Sequence, residues 1–249
     1  MAKQTWKPGN MLYPVPAVMV SCQRKGEKPN IITVAWAGTV CTSPAMVSIS
    51  VRPERYSYDI IKESGEFVIN LTTKELTYAT DYCGVRSGRD VDKYKEMGLT
   101  PLESKVVKAP GIAESPVNIE CRVTEVKELG SHHMFIAEVV SVTVDDRYMN
   151  ENGRFELNKA GLVSYSHGEY FEQGKKIGKF GYSVKKEGTK NTTNKNKNIN
   201  KPEEKNSDLK NNKRRRSDIK IGKTKNSNVK IKNKKVKLQK NKSTKNKLT

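Results

Sequence analysis

The stretch "SISVRPERYSYDII", residues 48–61, alternates polar and aliphatic side chains and then changes to a pattern typical of a helix start. Ser48, Ser50 and Arg52 occupy every second position, with aliphatic residues between them. Successive side chains of a strand point to opposite faces of the sheet. The pattern therefore predicts a half-buried strand whose outer face carries two hydroxyls and a guanidinium.

A helix is predicted directly after this strand. Pro53 ends the strand, Ser57 is the predicted N-cap, and Gly65 the predicted stop. The N-terminus of a helix offers free backbone N–H groups and a positive dipole end, so hydroxyls and an arginine beside it predict an anion site suited to a phosphate. The same spacing also fits a solvated outer strand face that binds nothing.

The segments around this stretch predict a protein built mainly of strands. Apolar runs rich in β-branched residues predict strands at 15–23, 30–40, 45–52 and 66–71. Residues 117–128 and 132–145 predict a hairpin around Gly130, and residues 73–97 predict helix and loop with a break at "CGVRSGRD". Strands in succession with a few inserted helices favour an antiparallel barrel over a parallel βαβ sheet.

The charge divides the chain into two parts. Residues 185–249 hold 24 Lys and Arg against 5 Asp and Glu, a net charge of +19 out of the chain's +20, which leaves +1 for residues 1–184. The first part predicts one globular domain, and the Lys/Asn-rich second part predicts a disordered basic tail. The tail is predicted to contact polyanions such as RNA without sequence preference, and the alternative is a solubilising extension without a partner.

Several functional classes find no support in the motifs. There is no phosphate-binding G-x-x-x-x-G-K-[ST] loop, no H-E-x-x-H and no serine nucleophile elbow, and the three histidines do not form a metal set, so no metal site is predicted. The four cysteines lack paired spacing and predict free thiols. No secretory signal and no membrane span are predicted, so we expect a cytoplasmic protein.

Four segments resemble a known family. "KPNIITVAWAGTVCTSPAMVSISVRPERYSYDIIKESGEFVINL" resembles the FMN-binding stretch of the flavin reductase-like split-barrel family, which includes flavoredoxin and archaeal ferric reductase. "DYCGVRSGRDVDKYKEMGLTP", "LGSHHMFIAEVVSVTVDD" and "GEYFEQGKKIGKFGYSV" follow in the family's order. The resemblance spans roughly residues 10 to 184 and implies an antiparallel FMN-binding split β-barrel.

The resemblance also implies which residues bind FMN. Arg52, Tyr56 and Ser57 would hold the phosphate, with Ser50 beside the ribityl chain. In the segment 30–38, Thr33, Ala35 and Trp36 would contact the flavin. From another loop, Cys83, Gly84 and Lys93 would approach the isoalloxazine ring or the phosphate. His132 matches a family histidine near the nicotinamide, as a candidate catalytic residue.

The function implied by the resemblance is an FMN-dependent oxidoreductase that uses NADH or NADPH and passes electrons to a small-molecule or protein acceptor. A homodimer is implied as well, because the family places the flavin near a subunit interface. The alternative is an FMN-carrying electron-transfer protein without nicotinamide turnover. A nucleic-acid-binding protein is a third reading, which depends on the tail alone.

Overall fold

The computed structural model describes residues 1–184. Its strands are β1 (Val15–Pro16), β2 (Val18–Cys22), β3 (Asn30–Val34), β4 (Ala37–Thr42), β5 (Ala45–Val51), β6 (Glu66–Leu71), β7 (Pro101–Leu102), β8 (Gly111–Ile112), β9 (Val117–Leu129), β10 (His132–Val144), β11 (Val163–Ser166) and β12 (Glu169–Glu172). Its α-helices are α1 (Tyr56–Ser64), α2 (Thr77–Val85) and α3 (Lys93–Glu96). The predicted tail at 185–249 lies outside the described residues.

Seven strands form one antiparallel sheet in the order β3-β2-β6-β9-β10-β5-β4. Its inner face closes over a core of aliphatic and aromatic side chains, among them Phe67, Phe135 and Ile49. Helix α1 covers this core with Tyr58, Ile60 and Ile61. A mainly β fold with inserted helices was predicted from the sequence, and the structure confirms it.

Strand β5 contains the alternating stretch and behaves as predicted. Its residues Val47, Ile49 and Val51 are buried, while Ser48 and Ser50 are half-exposed on the other face. The predicted hairpin is formed by β9 and β10, and Gly130 in its turn has a positive φ of 54°. A residue without a Cβ adopts that conformation without strain.

The predicted N-cap of α1 is wrong. Arg55 occupies the N-cap position, and its side chain makes no capping hydrogen bond. Ser57 lies within the first turn, is buried, and accepts a hydrogen bond from Asn30 Nδ2 at 2.7 Å. The predicted stop is confirmed, because Gly65 has a φ of 67° and donates its N–H to the carbonyl of Ile61.

The predicted single strand at 30–40 is also wrong. The chain breaks at Ala35 and Trp36 and forms β3 and β4, which lie at opposite ends of the strand order. The carbonyl of Trp36 accepts the N–H of Ser50 at 2.8 Å, so β4 is held on β5 while β3 is held on β2. The barrel is therefore open between β3 and β4, and we call this opening the seam.

Helices α2 and α3 pack on β3 outside the barrel core. Met19, Ile31, Cys83 and Tyr94 belong to the apolar cluster between them. The predicted break between the helices is present, although α2 continues through Gly84 and Val85 before it ends. The loop at residues 86–92 therefore leaves α2 close to the beginning of β3.

A second, three-stranded sheet joins the first strand of the described part to its last two strands. Strand β1 pairs with β11, which pairs with β12 in a hairpin that turns at His167 and Gly168. The four cysteines are unpaired. None of the helices in residues 1–184 is long and apolar enough to cross a membrane.

Candidate functional site

Two adjoining cavities lie at the seam, and every residue that the resemblance implied lines one of them. The arginine cavity, of about 210 Å³, is lined by the predicted residues Tyr56, Ser57, Cys83, Gly84 and Lys93. The seam cavity, of about 150 Å³, is lined by the predicted residues Thr33, Ala35, Trp36, Ser50, Arg52 and His132. Ile32 and Arg55 line both.

The arginine cavity is lined by three guanidinium groups and by one carboxylate, that of Glu54, which pairs with Arg52. Arg55, Arg86 and Arg89 line it, and among residues 1–184 none of the three forms an ion pair. Arg52 and Arg24 differ, since Arg52 lies 3.2 Å from Glu54 and Arg24 lies 2.5 Å from Glu63. Unpaired guanidinium groups around one cavity are suited to bind a phosphate through charge-assisted hydrogen bonds.

Tyr56 holds the loop after α2 against the start of α1. The guanidinium of Arg89 lies 5.3 Å from the centroid of the Tyr56 ring, within cation–π range. Arg89 also donates a hydrogen bond to the carbonyl of Glu54 at 3.3 Å. These contacts bring Arg89, from one element, beside Arg55, from another.

Gly88 lets this loop approach β3 and α1 closely. A Cβ at this position would lie 2.0 Å from Oδ1 of Asn30 and 2.9 Å from the ring of Tyr56. Asn30 also donates to the hydroxyl of Ser57, so one amide side chain contacts both the loop and the first turn of α1. Only glycine fits there without displacing Asn30 or Tyr56.

Lys93 has its charged group buried in the wall of the arginine cavity. Its Nζ donates hydrogen bonds to the carbonyls of Ile31, at 2.6 Å, and Cys83, at 2.7 Å. Burial lowers the pKa of Lys93 to about 8, and burial raises the pKa of the Cys83 thiol to about 11. Lys93 thus ties β3 to the end of α2, and Cys83 is a protonated thiol at neutral pH.

The seam cavity combines an indole, an imidazole, hydroxyl groups and backbone. Burial and the positive charges of Arg52 and Arg55 lower the pKa of His132 from its ordinary value, so its imidazole is neutral near pH 7. The hydroxyl of Thr33 donates to the carbonyl of Thr80, which fixes its orientation. A neutral imidazole can donate one hydrogen bond without adding a positive charge.

The neighbouring histidines point to opposite faces of β10. His132 lines the seam cavity, whereas Nδ1 of His133 lies 2.7 Å from the hydroxyl of Tyr58. The rings of His133 and Tyr58 meet edge to face, with centroids 5.3 Å apart. His133 therefore belongs to the packing of α1 on the sheet.

The sequence interpretation missed the three arginines of the arginine cavity. The helix start was predicted at Ser57, and Arg55 just before it was not considered as a site residue. Arg86 and Arg89 lie in the quoted segment "CGVRSGRD", but neither was predicted to bind a ligand. The repeated arginine at a three-residue interval beside Gly88 was the available signal. A cationic cavity joined to a cavity with planar and polar walls defines a site for a ligand with a phosphate and a ring system.

The comparisons with known proteins agree with this class of site. Residues 10–172 match the flavin reductase like domain, and the chain therefore belongs to this family of flavin-related oxidoreductases. The match confirms the resemblance seen in the sequence, and similarity to solved structures confirms the antiparallel split barrel. Where each site residue would contact a ligand stays a prediction.

Two solved structures and one sequence relative illustrate the similarity. Flavoredoxin of Desulfovibrio vulgaris (Miyazaki F) is 31% identical, with a TM-score of 0.69 over 74% of this chain and 100% of that chain. Flavoredoxin from Methanosarcina acetivorans is 27% identical, with a TM-score of 0.66 and the same coverage. An uncharacterized protein of Archaeoglobus fulgidus is 36% identical over 145 residues, 58% of this chain and 81% of that protein.

Proposed function

We propose that the protein binds FMN and works as an FMN-dependent oxidoreductase that accepts reducing equivalents from NADH or NADPH. The observation that carries this proposal is the arginine cavity, with three unpaired guanidinium groups, adjoining a seam cavity lined by Trp36, Ser50 and His132. Membership of the flavin reductase-like family and similarity to two flavoredoxins support a flavin cofactor.

In this proposal the phosphate of FMN binds in the arginine cavity. Arg55, Arg86 and Arg89 supply the positive charge. Tyr56 and Ser57, the first two residues of α1, line the same cavity, and the N-terminus of a helix favours an anion. Arg52, which the resemblance implied at the phosphate, is paired with Glu54 and lines only the seam cavity. We therefore assign Arg52 to the ring end of the ligand.

The seam cavity would hold the ring system. Bound FMN supplies hydride and single-electron chemistry that the side chains of the protein cannot supply. The backbone of Thr33–Trp36 and the hydroxyl of Ser50 would orient the ring, and the neutral His132 would face the nicotinamide. Holding donor and flavin in one orientation lowers the entropic part of the barrier.

The similarity to two flavoredoxins favours a second candidate, an FMN-bearing electron carrier without nicotinamide turnover. The two candidates differ in one measurement. FMN-loaded protein is mixed anaerobically with NADH or NADPH, and the absorbance of oxidised flavin is followed by stopped flow. Rapid bleaching with either nucleotide supports the oxidoreductase. No bleaching with either, combined with reduction by dithionite, supports the carrier.

We also propose a homodimer, because the seam cavity is open at the surface and β4 exposes Val40 at the sheet edge. An unpaired strand edge with an apolar side chain is a surface that a second copy can cover. Sedimentation equilibrium of the FMN-loaded protein tests this. A sedimenting mass of one chain at micromolar concentration contradicts the dimer.

A further inference from the structure

Four ring side chains form a continuous wall beside the seam cavity. Tyr13 is its centre, with ring centroids 6.2 Å from Trp36, 6.4 Å from Tyr165 and 4.4 Å from His167. We call Tyr13, Trp36, Tyr165 and His167 the aromatic wall. Trp36 belongs both to this wall and to the lining of the seam cavity, so the wall extends the candidate site toward the β11–β12 hairpin.

The side chains of the wall are accessible to solvent. Tyr13, Trp36 and Tyr165 are half-exposed and His167 is exposed. Within residues 1–184, no hydrogen bond engages the side-chain polar atoms of these four residues. Tyr170, next to the wall, differs because its hydroxyl donates to Asp81 at 3.2 Å. The hydroxyl and ring N–H groups of the wall are therefore available to a ligand.

The turn of the β11–β12 hairpin forms the edge of the wall. His167 has a φ of 48° and is the one non-glycine residue with positive φ in the described part of the chain. His167 and Gly168 form the two-residue turn between Ser166 and Glu169, and such hairpin turns have positive φ at both positions. The conformation places the imidazole against the ring of Tyr13.

We propose that the aromatic wall binds the electron acceptor, and that this acceptor is a planar aromatic ring with carbonyl oxygens, of the quinone type. This inference rests on the proposed oxidoreductase function. The rings of Tyr13 and Trp36 are tilted by 45°, so a planar ring can stack on one of them and meet the other at its edge. The hydroxyl, indole and imidazole N–H donors suit its carbonyl oxygens. In the reaction the quinone would gain two electrons and two protons to become a hydroquinone, and the reduced cofactor would supply these two electrons and two protons.

The test compares two acceptors on FMN-loaded variants. Menadione is planar and carries two carbonyl oxygens, whereas ferricyanide has no ring. His167→Gly removes the imidazole and relieves the positive φ, so the variant should fold at least as well as the parent. Tyr13→Leu removes the central ring. Phe171→Leu is the matched control, because Phe171 is 48% exposed on the same hairpin but outside the wall.

Two readouts separate this inference from the proposed function. First, isothermal titration calorimetry measures menadione binding to the oxidised holoprotein, which has no electrons to give. Second, reduced holoprotein is mixed with each acceptor. We expect Tyr13→Leu and His167→Gly to weaken menadione binding roughly three- to tenfold, the range for a lost aromatic contact, and to raise its KM alike. Phe171→Leu should leave menadione binding and the KM for menadione unchanged. The rates with ferricyanide should be unchanged in all three variants.

The outcomes decide between the wall and its alternatives. Unchanged menadione binding in both variants overturns the inference, as does an equal loss of rate with menadione and ferricyanide, which would indicate general damage to the site. A parent protein that binds no flavin, or flavin that no nucleotide reduces, contradicts the proposed function instead. Menadione binding to oxidised protein remains measurable in the latter case and still tests the wall.

Discussion

Arg55→Ala is the variant that tests the phosphate assignment most directly. Arg55 makes no ion pair among the described residues and no capping hydrogen bond, although it is the N-cap of α1. Its removal should therefore leave folding intact. The substitution should remove one charge-assisted hydrogen bond to the phosphate of FMN. Riboflavin has no phosphate and cannot make this contact.

The magnitude follows from the position of Arg55. A hydrogen bond to a charged group contributes about 1.5–3 kcal/mol, and the exposure of Arg55 places it at the lower end because solvent screens the charge. A loss of about 1.5–2 kcal/mol corresponds to roughly 10- to 30-fold weaker FMN binding. Riboflavin, which lacks the phosphate, should bind within about twofold of its affinity for the parent.

The assay is titration of apoprotein with each flavin, followed by flavin fluorescence at two salt concentrations. The selectivity of the parent for FMN should fall with added salt, and Arg55→Ala should show a weaker salt effect. Arg52→Ala is the matched control, since Arg52 is already paired with Glu54. Loss of FMN selectivity in Arg52→Ala but not in Arg55→Ala refutes the arginine cavity as the phosphate site and supports the role that the resemblance implied for Arg52.

Four further predictions concern other parts of the molecule. His132→Ala should keep FMN but slow its reduction by NADH or NADPH, measured by stopped flow, and loss of flavin instead would contradict its placement on the nicotinamide side. Gly88→Ala should weaken FMN binding by displacing Asn30 and Tyr56, and unchanged affinity would show that the loop at 86–89 can move away without cost. Glu120→Gln should lower the free energy of unfolding in urea by about 1.5–3 kcal/mol, because its buried carboxylate accepts backbone N–H groups of residues 105–107. Burial favours the protonated acid, but these hydrogen bonds outweigh burial and lower the pKa of Glu120. The stabilisation by Glu120 is thus present above its unfolded pKa and is lost as the pH falls through its folded pKa. A Gln variant with unchanged stability at pH 7 would refute this. Ending the chain at Lys186 should leave FMN content and rate intact while removing retention on heparin at low salt, and retained binding would indicate a basic patch in residues 1–186.

The residues of the site were predictable from the sequence where they lie in segments that resemble the family. All eleven implied residues line one of the two cavities. Their contacts were less predictable, because Lys93 reaches two backbone carbonyls and Ser57 reaches Asn30, and both partners are distant in the chain. Local sequence carries no information about which distant carbonyl or amide will lie within hydrogen-bonding distance.

The local elements follow from the sequence alone, because side-chain periodicity and turn residues act over a few neighbouring positions. The alternation in β5, the hairpin around Gly130 and the stop at Gly65 follow from the period of a strand and from the conformational freedom of glycine. These elements also determined the antiparallel class of the fold.

The formation of the seam and the charges that meet there depend on tertiary packing. A continuous apolar run at 30–40 does not reveal that β3 and β4 pair at opposite ends of the sheet, since that depends on partners elsewhere in the chain. The convergence of Arg55 with Arg86 and Arg89 depends in turn on the close approach that Gly88 permits against Asn30. Long-range packing creates these contacts, and no local pattern encodes them.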